Sequence, residues 1–180
     1  MCSNLNHMIN PIYKLSEEQR KFAEKIGRAR NDAKASSFRY KSCGYKDPAF
    51  AHILGICAEI AYADITNRKL DENIYEIGDD SDFDGIEIKT ATWKGDDIEL
   101  KIKSDEYKRK KPLAYILARI DENYTTVEFV GSISREKFDK IKYEKRHKFV
   151  DNLCVCGNQM SKGLAFLEDD VLKIVKFKDV

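Results

Sequence analysis

Cysteine is sparse in this 180-residue chain, long apolar runs are missing, and the charge is almost balanced. Each absence excludes something. Five cysteines (Cys2, Cys43, Cys57, Cys154 and Cys156) are an odd set and too few for a disulfide scaffold, so free thiols in a reducing, cytoplasmic compartment are expected. Cys154 and Cys156 are separated by one residue, with His147 nearby. That is tighter than the spacing of a zinc knuckle, and no second pair completes one. No stretch approaches the roughly 18 to 20 uninterrupted apolar residues of a membrane span, so no membrane partner is expected. The opening MCSNLNHMINPIYKL has no basic start leading into an apolar core, and is expected to carry no secretory signal. No internal repeat and no low-complexity linker occurs. What remains fits a globular chain of one compact domain with an extension.

The net charge of +1 hides an uneven distribution. Residues 14–46 hold ten Lys/Arg against four acids, whereas residues 101–111 and 137–148 each hold six against two. Between the first two stretches, residues 71–84 (DENIYEIGDDSDFD) carry seven acids and no base. An acidic centre flanked by basic stretches suits a protein that holds a divalent cation in its middle and a polyanion along its edges. Each basic run taken singly is also what a solvated helix face looks like.

Ser16-Glu17-Glu18-Gln19 has the form of a capping box and predicts a helix to about Lys34, with a narrow apolar stripe (Phe22, Ala23, Ile26, Ala29, Ala33) and basic surface elsewhere. Residues 36–47 read as a connector. Asp47 is the expected cap and Pro48 the first position of a second helix running to about Thr66. That helix is nearly all apolar and must be buried. Glu59, its one mid-helix carboxylate, must therefore face a site or find a partner. Gly55 suggests close approach by another element. His52 reads as a core or helix-face histidine. Strands are expected over about 74–77, in a hairpin over 80–92, and over 97–103 after a Gly95-Asp96 turn. Leu113–Ile120 reads as a central buried strand and Thr126–Ile133 as another, followed by a short helix capped at Ser134. The end, 164–177, reads as two extended segments around a turn at Glu168-Asp169-Asp170. The predicted class is α/β or α+β, with a central mixed β-sheet flanked by helices.

The most informative string is DFDGIEIKTATW, residues 82–93. Asp84-Gly85 is a favoured two-residue hairpin loop. Closing there sets Phe83 against Ile86 and Asp82 against Glu87, ~5 Å apart at Cβ, with Lys89 on the same side. Opposed carboxylates repel, and a hard cation between them reverses the sign of that energy. Lys89 can then hold or deprotonate a water beside the cation and steady the charge of a phosphorane-like transition state. The alternative is a solvated sheet face with an Asp80–Lys89 ion pair across the strands.

Asp82-x-x-Gly85-x-Glu87-x-Lys89, preceded by a helix with Gly55-x-x-Ala58-Glu59, resembles the PD-(D/E)XK nuclease superfamily, in particular its small phage and prokaryotic members. The strings LAYILARID, VEFVGSISREKF and LEDDVLKIVKF resemble the sheet core and closing segment that follow the active site there, so the likeness runs from about residue 48 to 177. The familiar proline before the aspartate is replaced by Ser81. The resemblance implies a restriction-endonuclease-like core at 48–180, with 1–47 as a basic helical extension. It implies Asp82, Glu87 and the backbone carbonyl of Ile88 as ligands of Mg²⁺ (with Mn²⁺ able to substitute), Lys89 as the catalytic lysine, and Glu59 as a carboxylate positioning water or a second metal. Asp80 and Asp84 compete for the role of Asp82.

Phosphate contacts are expected from Arg28, Arg30, Arg39 and Lys41, and from Lys108, Arg109, Lys110 and Lys111. Trp93 and the tyrosines (Tyr40, Tyr45, Tyr107, Tyr115 and Tyr143 among them) could stack bases, but most aromatics at this density are core. The expected activity is Mg²⁺-dependent hydrolysis of DNA. A junction-type, structure-selective nuclease and a nuclease-fold binding module without strong activity are the alternatives. Cutting both strands with one centre asks for a homodimer or two sequential nicks.

Overall fold

The computed structural model describes residues 10–35, 47–74, 81–92, 97–147 and 150–177. A short strand β1 (Ile12–Lys14) leads into α1 (Glu17–Ala35). The capping box forms: the Ser16 N–H donates to Gln19 Oε1 at 2.9 Å, and the Gln19 N–H donates to Ser16 Oγ at 3.2 Å. The second helix, α2 (Phe50–Thr66), begins two residues beyond Pro48. Asp47 nonetheless caps the turn before it, its Oδ1 accepting the Ala49 N–H at 2.9 Å. The helix ends at Asn67 in the left-handed conformation, φ 51°.

The two helices run antiparallel. Gln19 reaches Asp64 near the end of α2, Gly27 lies on Ile53, and Arg28 pairs with Asp47 before its start. A Cβ on Gly27 would stand 2.7 Å from the Ile53 backbone nitrogen, so the close approach requires glycine there. The sequence placed it at Gly55 instead. Around Gly55, among the described residues, Glu59 Oε1 at 3.8 Å is the one heavy atom within 4 Å of such a Cβ, apart from the helix's own backbone.

The remaining elements are β2 (Ile86–Ala91), β3 (Glu99–Lys103), α3 (Ser104–Arg109), β4 (Ala114–Ile120), β5 (Thr126–Ser134), α4 (Arg135–Ile141), β6 (Tyr143–His147), β7 (Val150–Cys156), β8 (Gly163–Glu168) and β9 (Val171–Lys176). The predicted class holds: the protein is mixed α/β with a mixed sheet. That sheet has the order β1-β5-β4-β2, in which β2 pairs β4 in parallel and the other pairs are antiparallel. A second, antiparallel sheet has the order β3-β7-β6, and β8 and β9 form a hairpin. As expected, Ser134 caps α4 by accepting the Lys137 N–H, and Asp169 and Asp170 turn the hairpin with φ 49° and 61°. The expected strand at 74–77 and the Gly95-Asp96 turn lie outside the described residues, apart from Ile74.

Side chains alternate across β4 and divide the core in two. Ala114, Ile116, Ala118 and Ile120 face α1 and α2, and share that core with Leu15, Ala23, Ile26, Ile53, Leu54 and Cys57. Tyr115 and Leu117 face the second sheet and α4, packing with Leu100, Ile102, Phe138, Leu153 and Val155. Each large aliphatic side chain so enclosed contributes ~1.5–3 kcal/mol. Helices thus flank one face of the mixed sheet as expected, while the other is covered mainly by strands. The segment before residue 47 is built into the first core through Leu15, Ala23 and Ile26. Among the described residues no helix is long and apolar enough to cross a membrane.

Candidate active site

The Asp84-Gly85 turn forms where the sequence puts it. Phe83 and Ile86 exchange backbone hydrogen bonds of 3.0 and 2.7 Å. Left-handed backbone falls on Gly85 alone, φ 68°, rather than on both turn residues. The Gly85 carbonyl accepts from the Leu113 and Ala114 N–H groups at 2.7 and 3.2 Å, which clamps the turn to the start of β4.

The antiparallel pairing stops after this one bridge, which corrects the expectation of a longer hairpin with Asp82 and Glu87 as a cross-strand pair. At the next hydrogen-bonding position Asp82 Oδ2 accepts the Ile88 N–H at 2.8 Å. The carboxylate stands where a partner strand would put a carbonyl. Among the described strands β2 lies at the edge of its sheet, its inner side taken by β4, and the Asp82 side chain satisfies the Ile88 N–H on its outer side. Residues 86 and 88 direct N–H and C=O to the same edge, and the Ile88 carbonyl therefore lies on the edge that Asp82 borders.

Glu87 and Lys89 leave β2 on the face opposite Ile86 and Ile88. Glu87 is 2% exposed. Its Oε1 accepts from Lys89 Nζ at 2.8 Å, and Lys110 Nζ donates to Oε1 and Oε2 at 2.9 and 3.1 Å. Lys89 Nζ also donates to Glu106 Oε1 at 2.6 Å, and that oxygen lies 3.9 Å from Lys110 Nζ. Two carboxylates and two ammonium groups thus alternate in one cluster. Sequence reasoning missed Glu106, and it placed Lys110 among the phosphate contacts; the partly buried Lys110 ammonium is bound to Glu87 instead.

Glu59 finds its partner on α1. Arg30 Nη1 donates to both Glu59 oxygens at 3.2 and 3.1 Å, with both residues buried. The same guanidinium donates to the carbonyls of Asp71 at 2.7 Å and Asn73 at 3.2 Å. Arg30 is therefore a buried tie between α1, α2 and the acidic loop, not a surface phosphate contact as expected. The Glu59 carboxylate reaches back toward Gly55, its Oε1 3.8 Å from where a Cβ there would stand.

The electrostatics follow from this crowding. Burial first, then the charges of Glu87 and Glu59, push the Asp82 carboxyl up to about 8, although part of the residue still meets solvent. Burial also raises Glu59, against the pull of Arg30. Burial alone would lower Lys89, but Glu87, Glu106 and Asp82 outweigh it and hold the ammonium above the ordinary lysine value. Lys89 is thus held as a cation by its carboxylate neighbours. For Glu106 burial is overcome by Lys89 and Lys110, which hold it down at about 2. On the α1 side, burial lowers Lys34, with Lys110 and Lys89 adding repulsion. His52 is pushed down to about 4 by burial and by Lys34, Arg30 and Lys103. It is neutral at pH 7, partly buried, and set in a positive field.

Of the other basic candidates, Arg28 pairs with Asp47 at 3.0 Å and Glu24 at 3.8 Å. Lys108, Arg109 and Lys111 are exposed at and beyond the end of α3. Arg39, Lys41, Asp80, Trp93, Tyr40 and Tyr45 lie outside the described residues. Tyr115 packs on Phe138 in the second core, Tyr107 lies under the Arg135 guanidinium at 4.2 Å, and the Tyr143 phenol donates to Glu99. Cys57 and Cys154 are buried free thiols. Among the described residues no group of three or more His, Cys, Asp or Glu side chains is arranged to hold a metal ion.

A cleft of about 690 Å³ opens between Arg68–Asp71 and Ser81–Gly85. Asp82 lines it, whereas Glu87 and Lys89 do not. Searches of protein-family models, curated proteins and solved structures find no match to the chain, so the functional reading rests on the residues themselves.

Proposed function

We propose that the protein is a divalent-cation-dependent endonuclease that hydrolyses phosphodiester bonds of DNA, built on a restriction-endonuclease-like core. One observation carries this reading: Asp82 reaches the strand that bears Glu87 and Lys89, its carboxylate on the Ile88 N–H at 2.8 Å, while Lys89 Nζ lies 2.8 Å from Glu87 on one face of that strand. The order of elements supports it, with the Glu59 helix first, then the Asp82 turn, then the Glu87-Ile88-Lys89 strand next to a buried parallel neighbour.

The donor set fits Mg²⁺, with Mn²⁺ as a substitute. All its atoms are hard oxygens, and Mg²⁺ is usually held by one or two carboxylates completed by water and substrate phosphate, without a three-acid cluster. Burial is the main cause of the raised Asp82 carboxyl, and the charges of Glu87 and Glu59 add to it; a divalent cation would offset that second part. When bound, the cation would supply Lewis-acid polarisation of the phosphate and an acidified water.

The chain's own residues have separate tasks in this reading. Asp82, Glu87 and the Ile88 carbonyl would hold the cation. Lys89, held protonated, faces the charge that develops on the phosphoryl oxygens. Arg30 holds both Glu59 oxygens, so Glu59 acts on the site as a positioned carboxyl group. Lys34, Lys103 and the exposed Lys108, Arg109 and Lys111 supply the positive field for a polyanion.

The test is incubation of plasmid, linear DNA, branched DNA and RNA with the protein in Mg²⁺, Mn²⁺ or EDTA. The expected result is metal-dependent cutting of DNA that Lys89→Ala slows by about 10²–10³-fold, the usual loss on removing one transition-state charge partner. Preferential cutting of branched DNA would select the junction-type reading. Retardation without cutting in every metal would select a binding module and contradict the proposal.

A further inference from the structure

We propose that Lys110 is the resident counter-cation of the candidate metal site: it bridges both oxygens of Glu87 and is passed to Glu106 when a divalent ion takes its place. This rests on the reading of Asp82 and Glu87 as cation ligands. The geometry shows why one ammonium must leave. Lys110 Nζ spans Oε1 and Oε2 of Glu87 at 2.9 and 3.1 Å, while Lys89 Nζ takes Oε1 at 2.8 Å. Both oxygens of a buried carboxylate are thereby committed to positive partners, and a second, doubly charged ion cannot enter on top of them.

Lys110 is the one free to move. Lys89 sits within a strand and has a second anchor in Glu106 at 2.6 Å. Lys110 follows α3, which buries none of its own side chains, so redirecting the lysine disturbs little packing. Its backbone stays in place, with its N–H on the Glu106 carbonyl at 2.7 Å and its carbonyl accepting from Arg135 Nη1 at 2.9 Å. The exchange is therefore a side-chain rotation. The acceptor is already at hand, because Glu106 Oε1 stands 3.9 Å from Lys110 Nζ, one helical turn away. Before and after the exchange each carboxylate has a cation, and no charge is left buried and unpaired.

The inference is tested by calorimetric titration of Mn²⁺ into the full chain without nucleic acid. The wild type is compared with Lys110→Met, Lys34→Met and Glu87→Gln. Lys34 is the control for the general field, since among the described residues it has no hydrogen bond to Glu87. The expected result is about tenfold tighter Mn²⁺ binding for Lys110→Met and less than about threefold for Lys34→Met. The urea midpoint of Lys110→Met should also fall without the ion and return to the wild-type value in saturating Mn²⁺.

Equal gains in the two lysine variants would reduce the effect to general repulsion and overturn the exchange. Wild-type binding that Glu87→Gln abolishes and Lys110→Met leaves unchanged would overturn it too, with the cation reading intact. No Mn²⁺ binding by the wild type or Lys110→Met would overturn both. Should Lys110→Met not fold, Lys110→Gln, which keeps a hydrogen-bond donor for Glu87, takes its place in the same comparison.

Discussion

The same substitution at two glycines of the paired helices should have opposite effects. Gly27→Ala and Gly55→Ala each gain up to about 1 kcal/mol from helix propensity alone. At Gly27 the new Cβ would stand 2.7 Å from Cγ1 and the backbone nitrogen of Ile53 and 2.8 Å from its Cα. Backbone atoms within a helix cannot swing away as a side-chain tip can, so α1 and α2 must separate. Overpacking of that kind costs about 1–3 kcal/mol or more, and separation also stretches the buried Arg30–Glu59 pair, which spans the two helices at 3.1–3.2 Å. Gly27→Ala should be destabilising by about 1–3 kcal/mol net. At Gly55 the nearest atom lies at an ordinary 3.8 Å, so Gly55→Ala should be neutral to stabilising by up to about 1 kcal/mol. The two variants should differ by about 2–16 °C in Tm for a chain of this size. Urea and thermal unfolding followed by far-UV circular dichroism, with equal m-values, measures the difference. A Gly27→Ala protein as stable as Gly55→Ala would refute the helix-contact argument.

The Arg30–Glu59 tie should be asymmetric. Arg30→Met strips a buried carboxylate of its partner and should cost about 3–5 kcal/mol, less in acid, where Glu59 can take up a proton. Glu59→Gln should cost only about 1–3 kcal/mol, because Arg30 keeps the carbonyls of Asp71 and Asn73; urea titration of both variants at pH 5 and 8 checks this. Asp82 sets a pH dependence. Its carboxyl is raised from 3.8 to about 8 on folding, so its contribution to stability is complete below about pH 4 and is lost as the pH rises toward 8. Asp82→Asn should flatten that decline between pH 5 and 8.5, and saturating Mn²⁺ should do the same for the wild type; a decline of equal size in all three would contradict the assignment.

What could be read from the sequence was what local chemistry determines. The Ser16–Gln19 box, the Ser134 cap, the Asp84-Gly85 turn and the burial of α2 each depend on residues close in the chain. The misses are tertiary. β6 (YEKRH) is a charged strand whose pairing comes from β7, and β1 is three residues long and paired to a distant partner, so neither carries a period to detect. α3 is six residues, too short to show a helical period, and none of them is fully buried. Glu106 was invisible for that reason, its one local signal being the four-residue spacing to Lys110. Glu87 and Lys89 were legible as a pair, because alternation along a strand puts them on one face; the position of Asp82 was not, since its carboxylate takes the Ile88 N–H at the strand edge instead of pairing across from Glu87. The partners of Glu87 and Glu59 were not, since Lys110 and Arg30 looked like any other surface base until the fold enclosed them.

The most direct test of the central claim is anomalous diffraction from a crystal of the protein with Mn²⁺ and a short DNA duplex. The account requires an anomalous peak bonded to the carboxylates of Asp82 and Glu87 and to the Ile88 carbonyl, with Lys89 beside the same phosphate. A peak elsewhere, or Lys110 still seated on both Glu87 oxygens in a crystal that holds the ion, would contradict it.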